Sequence, residues 1–266
     1  MTIFTETLRR HWRQVLWWGG GMALLGYYIV TIIPNVDMLN QYADMIANLK
    51  PEFLALLGVQ DAATIATPEG FIAMGFFGYA LLMLAAFAVM AGLNMTANEE
   101  DEGILDVVLA QPVPRWRIIM EKFAAYFTLT LGVVAVSLGG LLLGMSGSSL
   151  GVDTGHLVQS TINMLPSLLL MIAFTMFVAT VVRRRTTALA LAVIFIVASF
   201  FVDFLGSSAS GTAAEALRAF SFFAYYDEQT VILKGMDIGK VLILLAASGA
   251  LLLGSLWFFE RRDVGV

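Results

Sequence analysis

Six apolar runs decide what this chain can become. They fall at 15–33, 71–93, 123–145, 163–182, 187–206 and 240–259. Each approaches the roughly 20 residues that a helix needs to cross a ~30 Å hydrocarbon core, where a helix pairs its own backbone groups. The rest of the composition agrees. Only 13% of residues are charged, against about 25% in a soluble globular chain, and mean hydropathy is +0.83. The expected fold class is an all-α membrane protein: six transmembrane helices forming a single transmembrane domain over 1–266. The sequence holds no cysteine, which excludes disulfides, thiolate metal sites and a cysteine nucleophile.

Lys and Arg set the orientation, because they accumulate on the cytoplasmic side. With both termini inside, Arg9, Arg10, Arg13, Arg115, Arg117, Lys122, Arg183, Arg184, Arg185, Arg261 and Arg262 are cytoplasmic. Lys50, Arg218, Lys234 and Lys240 are outside. That split accounts for all fifteen Lys and Arg and favours this topology. The three arginines 183–185 form the turn between the fourth and fifth runs.

The connections carry their own signals. Before the first run, Phe4, Leu8, Trp12 and Val15 recur at helical spacing with Arg9, Arg10 and Arg13 off that stripe, the pattern of an interfacial helix on the inner leaflet. His11 reads as part of that interface. No cleavage pattern follows the run, so it is not a signal peptide. The long outer connection 34–70 places Met38, Tyr42, Met45 and Leu49 on one helical face, suggesting short helices on the outer surface. The connection 146–162 is short and rich in Gly and Ser, and the aromatics of 207–239 suit an interfacial belt or a shallow re-entrant turn. Gly140 with Gly144, Ala188 with Ala192, and Ala250 with Gly254 have the spacing that lets helices approach closely. There is no visible internal repeat.

Much chemistry is absent. A phosphate-binding loop needs Gly-x-x-x-x-Gly-Lys-Ser/Thr; only Lys240 of the four lysines follows a glycine, and Val241 follows it. The two histidines, His11 and His156, fall on opposite sides of the expected membrane, which rules out a zinc pair. Asp203 is the clear ionisable residue within a run, but it lies 18 residues past Arg185, about 27 Å at 1.5 Å per residue, near the outer surface and away from where a proton relay would sit. Asn94, Asn163, Thr128 and Thr175 are expected to hydrogen-bond between helices.

The densest polar stretch, EEDEGILDVVLAQPVPRWRIIMEKF at 99–123, joins the second and third runs on the cytoplasmic side. Glu99, Glu100, Asp101 and Glu102 suit a helix N-terminus. Ile104, Leu105, Val108 and Leu109 form an apolar face, and Pro112 and Pro114 end the helix. Arg115, Arg117 and Lys122 then anchor the next run inside. A short acidic helix exposed to the cytosol is suited to docking another protein; the alternative is a solvated connector.

These residues resemble the signature of type-2 ABC transporter permeases, the group of antibiotic and sodium exporters. Glu99, Glu102 and Gly103, the pair Leu105 and Asp106, Leu109, Pro112, Arg115 and Lys122 match the family's pattern in order, with Ile104 where a Thr is usual. TPEGF at 67–71, SFFAYYDEQTVILKG before the last run and the ending FFERRDVGV at 258–266 are also similar. The resemblance implies a permease with an N-terminal interfacial helix and a coupling helix at 99–111. That helix would fit a groove of the ATPase through Glu99, Glu100, Glu102, Gly103, Leu105, Asp106, Leu109, Pro112 and Arg115. It further implies a homodimer with two ABC ATPase subunits, ATP and Mg bound by that partner and no cofactor on this chain, in the cytoplasmic membrane and without nucleic acid. Spans two and five would line the path of an amphipathic or drug-like substrate, with Met74, Phe77, Met83, Met90, Phe195 and Phe200 as its side chains. The alternatives are a secondary transporter or channel, which wants inverted repeats, broken helices or mid-membrane charges, and an embedded enzyme using Glu99 and Glu100, which has no histidine in register.

Overall fold

The computed structural model describes residues 2–32, 36–47, 67–98, 113–148, 150–182, 184–208 and 216–261. Among these, every regular element is helical. Six helices are long and apolar enough to span a membrane: Ile3–Ile32, Pro68–Asn94, Arg115–Ser146, Thr154–Val182, Arg185–Ser207 and Ile238–Glu260. They are spans 1 to 6 below; five contain their expected runs whole, and span 1 covers its run up to Ile32, the last described residue there. Several continue past the apolar stretch, since a helix need not stop where hydrocarbon ends. The bundle runs up and down. One end collects Arg115, Arg117, Lys122, Arg184, Arg185 and Arg261 and is the arginine end; the other carries the 207–239 connection.

Span 1 begins before the expected apolar run. The amphipathic helix Thr2–Gln14 runs through a π-helical turn, Val15–Gly19, into Gly20–Ile32, and the junction residues Gln14 and Gly20 are both right-handed helical. The stretch expected to be interfacial forms the first three turns of one continuous helix, with no loop between. It packs on span 3: the Phe4 amide donates to Glu121 Oε2 at 3.2 Å, and the His11 and Tyr126 rings lie 5.4 Å apart.

Small residues set the closest contacts. A Cβ on Gly140 of span 3 would lie 2.1 Å from the Ala23 carbonyl oxygen of span 1, and one on Gly144 would lie 2.9 Å from Val30 Cβ. Ala188 and Ala192 are fully buried. In the third pair only Gly254 makes a tight approach, to the Phe177 ring, while Ala250 is exposed. Spans 2 and 4 meet at Gly92, where a Cβ would stand 2.6 Å from Thr175 Cβ. Span 4 is the hub: 72% of its apolar window is buried, against 22% for spans 1 and 5 and 17% for span 6. The outward faces of those three are thus left for lipid or another chain.

Span 4 is broken near its start. Thr154–Ile162 and Met164–Val182 meet at Asn163, because Pro166 has no N–H to offer the Ile162 carbonyl. The 36–47 helix carries Met38 and Met45 of the expected face, while Leu49 lies outside the described residues. Leu39 is buried against Phe71 and Ile29, whereas Met38 and Met45 are exposed.

In the connection 207–239, the described residues from 216 onward fold back against span 5. Ser221 Oγ donates to the Ser199 carbonyl and the Phe222 amide donates to Ser199 Oγ. Ser199 lies nine residues inside the end of the helix Arg185–Ser208, about 13 Å at 1.5 Å per residue. Two short helices follow, Phe223–Tyr226 and Glu228–Lys234. They hinge on Asp227, whose φ of 40° is left-handed, a conformation that Asp tolerates better than most residues.

Candidate functional site

Two regions were expected to carry function. Of the coupling residues, Glu99, Glu100, Glu102, Gly103, Leu105, Asp106, Leu109 and Pro112 lie outside the described residues. Arg115 is described, in the first turn of span 3 after the extended Pro114. The two ends flanking 99–112 are firmly held. Arg117 Nε donates to Glu121 Oε1 at 2.8 Å. Lys122 is buried, and its Nζ donates to the Met95 carbonyl at 3.1 Å. An ammonium at the C-terminus of span 2 supplies a donor for a carbonyl that the helix itself leaves unpaired and favours the helix dipole. Lys122, expected only to anchor span 3, thus ties the start of span 3 to the end of span 2.

The six expected path residues do not form one face. Phe77 is fully buried in the bundle core. Phe195 is stacked between Phe174 and Phe222, with ring centroids 4.0 and 5.4 Å away. Met83 and Met90 are exposed on span 2. Met90 lines an apolar cleft of about 320 Å³ between spans 2 and 5, with Leu82, Val89, Leu189, Val193 and Ile196 among its neighbours. Met74 and Phe200 meet elsewhere, in a second cavity of about 330 Å³ opposite the arginine end.

That second cavity is polar. Arg218 Nε donates to Asp203 Oδ1 at 2.7 Å, and Lys240 Nζ to Asp227 Oδ2 at 2.6 Å. Asp203 therefore serves an ion pair that joins span 5 to the 207–239 connection. Burial pushes the Asp227 carboxyl up, but hydrogen bonds from Lys240 and Thr230 outweigh it and hold the pKa below its ordinary value. Glu228 goes the other way. Burial, with the like charges of Asp203 and Asp227, raises it to about 7 against the pull of its own amide and of Arg218. Tyr226, raised well above its ordinary value by burial, stays neutral and donates to the Phe77 carbonyl at 3.2 Å.

The expected helix-to-helix hydrogen bonders divide. Asn163 Nδ2 reaches the Tyr226 carbonyl at 2.5 Å. Thr128 and Thr175 instead donate to Ala124 and Met171, and Asn94 accepts from Asn98. A backbone carbonyl one helical turn away satisfies the two hydroxyls without a neighbour.

Six membrane-length helices define a multi-pass membrane protein. The chain belongs to the family described as "Multidrug efflux system permease Rv1217c, C-terminal domain", whose model matches residues 4–260. That family agrees with the type-2 ABC permeases that the signature at 99–122 resembles. No curated protein matches the chain.

Proposed function

We propose that this chain is the transmembrane permease subunit of an ATP-driven ABC exporter. Two copies pair in the cytoplasmic membrane, with both termini and the arginine end in the cytosol. Two separate ATPase subunits bind ATP and Mg and dock on residues 99–112. The family match over 4–260 carries this reading; the Lys/Arg split and the missing phosphate loop support it. The Lys122 bond to Met95 gives a mechanical reason for coupling. A push on 99–112 is shared by the ends of spans 2 and 3, because a buried charge-assisted hydrogen bond holds them together.

The substrate is an amphipathic or drug-like molecule. The cleft between spans 2 and 5 favours it, because an apolar wall recognises by burial rather than by hydrogen bonds. Bound between two copies, such a molecule would exchange that wall for the outer side as the ATPases close. The test is co-expression with a candidate ABC ATPase and purification through a tag on the permease. The expected result is a complex whose ATP hydrolysis is stimulated by amphipathic drugs. Robust ATP hydrolysis by the permease alone, or no ATPase retained under mild detergent, would contradict the reading.

A further inference from the structure

The cavity opposite the arginine end shares no lining residue with the apolar cleft. Its walls come from three elements. Span 2 gives Met74, Gly78 and Tyr79, at and just after the π-helical turn Ala73–Phe77. Span 5 gives Phe200, Asp203 and Phe204, and the 207–239 connection gives Arg218, Phe223, Asp227 and Glu228. The missing side chain of Gly78 leaves its place to Glu228, whose Oε1 would be 3.8 Å from a Cβ there. The Phe200 ring stacks on Phe204 at 6.4 Å and meets Phe223 edge-on at 5.6 Å, so one wall is aromatic.

The charges do not cancel. Arg218 offsets Asp203 and Lys240 offsets Asp227. Glu228 has no salt-bridge partner among the described residues and is left as one negative charge when ionised. An aromatic wall beside a single uncompensated carboxylate suits a cation with an apolar body, through charge and cation–π attraction together. A volume of about 330 Å³ lies at the small end of ligand pockets, roughly 300–1,000 Å³, and accommodates one ring with its cationic head.

We propose that this cavity is a binding site for small monovalent organic cations bearing an aromatic ring, with the Glu228 carboxylate as counter-ion. Binding is then exclusive with protonation of Glu228. A cation entering the cavity displaces a proton, and acid on that side releases the cation. Against the Glu228–Lys234 helix also pack Pro68–Ile72, which carries Glu69, and Thr154–Ile162, which carries His156. The charges acting on Glu228 are Asp203, Asp227 and Arg218.

The test uses the full chain in nanodiscs without an ATPase, so its outcome is separate from that of the exporter reading. Binding of benzyltrimethylammonium is measured at pH 8.5 and 5.5. Neopentylbenzene, its neutral isostere, and benzenesulfonate serve as controls. With a carboxyl that titrates at about 7, the cation binds about 30-fold more weakly at pH 5.5, because only the ionised fraction is competent, and neither control competes. Glu228→Gln keeps the shape, holds the weak acid-level affinity at both pH values and loses the pH dependence. Tyr79→Ala, at an exposed position, lowers affinity several-fold and leaves the midpoint near 7. Equal binding of the neutral isostere would overturn the proposal. So would wild-type pH dependence in Glu228→Gln, which would move the titration to another group.

Discussion

Gly140→Ala adds one methyl group where spans 1 and 3 touch backbone to backbone. The new Cβ would fall 2.1 Å from the Ala23 carbonyl oxygen and 2.3 Å from Ala23 Cα. Ordinary contact begins at 3.4 Å, so the helices must separate by 3.4 − 2.1 = 1.3 Å at that point. Backbone atoms cannot turn aside as the tip of a side chain can. A gap of ~1 Å forfeits about a quarter to a half of each atom-pair attraction of ~0.1–0.2 kcal/mol. Over roughly 30 pairs along this seam the loss is about 2 kcal/mol, within the ~1–3 kcal/mol typical of overpacking. Gly139→Ala is the internal control, since a Cβ there meets nothing within 4 Å. It carries the same gain in helix propensity, about 0.5–1 kcal/mol. Unfolding of the two variants by sodium dodecyl sulfate in mixed micelles, followed by circular dichroism, reads the difference. Gly140→Ala should be less stable than Gly139→Ala by about 2 kcal/mol or more. Equal stability would refute the close approach of spans 1 and 3.

Other expectations are as direct. Lys122→Met leaves the Met95 carbonyl without its buried donor, and should cost about 1–3 kcal/mol in the same unfolding assay. Single cysteines replacing Asp101 or Arg184 should escape an impermeant maleimide in intact cells while one replacing Asp237 is labelled; the reverse pattern would overturn the topology. For pH, the Glu228 carboxyl rises from its ordinary 4.5 to about 7 on folding. The folded chain therefore holds the extra proton between those values, and this group's contribution to stability falls as pH rises through that window. The thermal midpoint of wild type should decline relative to Glu228→Gln between about pH 4.5 and 7, and parallel curves would refute it.

The spans were legible because hydropathy is a local property, and a run of 20 apolar residues needs no partner to declare itself. Gly140 and Gly144 were legible for a related reason: their spacing already puts both on one helix face. What sequence could not disclose is which distant carbonyl or carboxylate a polar side chain meets. Lys122 finds Met95 across 27 residues, Asn163 finds Tyr226 across 63, and Tyr226 finds Phe77 across 149. Asp203 looked like an isolated outer carboxylate until packing supplied Arg218. The pair of short helices before span 6 had only its aromatics as a signal, and its polar cavity had none. Phe77 and Phe195 could not be separated from Met90 by pattern, because every face of these helices is apolar.

The most direct test of the account is ATP-driven transport in inside-out vesicles containing the permease and its ATPase. A fluorescent amphipathic drug should accumulate only with hydrolysable ATP. Leu105→Asp sets a charge on the face proposed to dock the ATPase, where an unpaired buried charge is costly, and Gly103→Pro costs about 3 kcal/mol if that position is within a helix. Both should abolish accumulation while the permease inserts at wild-type levels, and Glu102→Ala should be mildest. Accumulation without ATP, or wild-type transport by Leu105→Asp and Gly103→Pro together with full retention of the ATPase, would contradict the coupling on which the account rests.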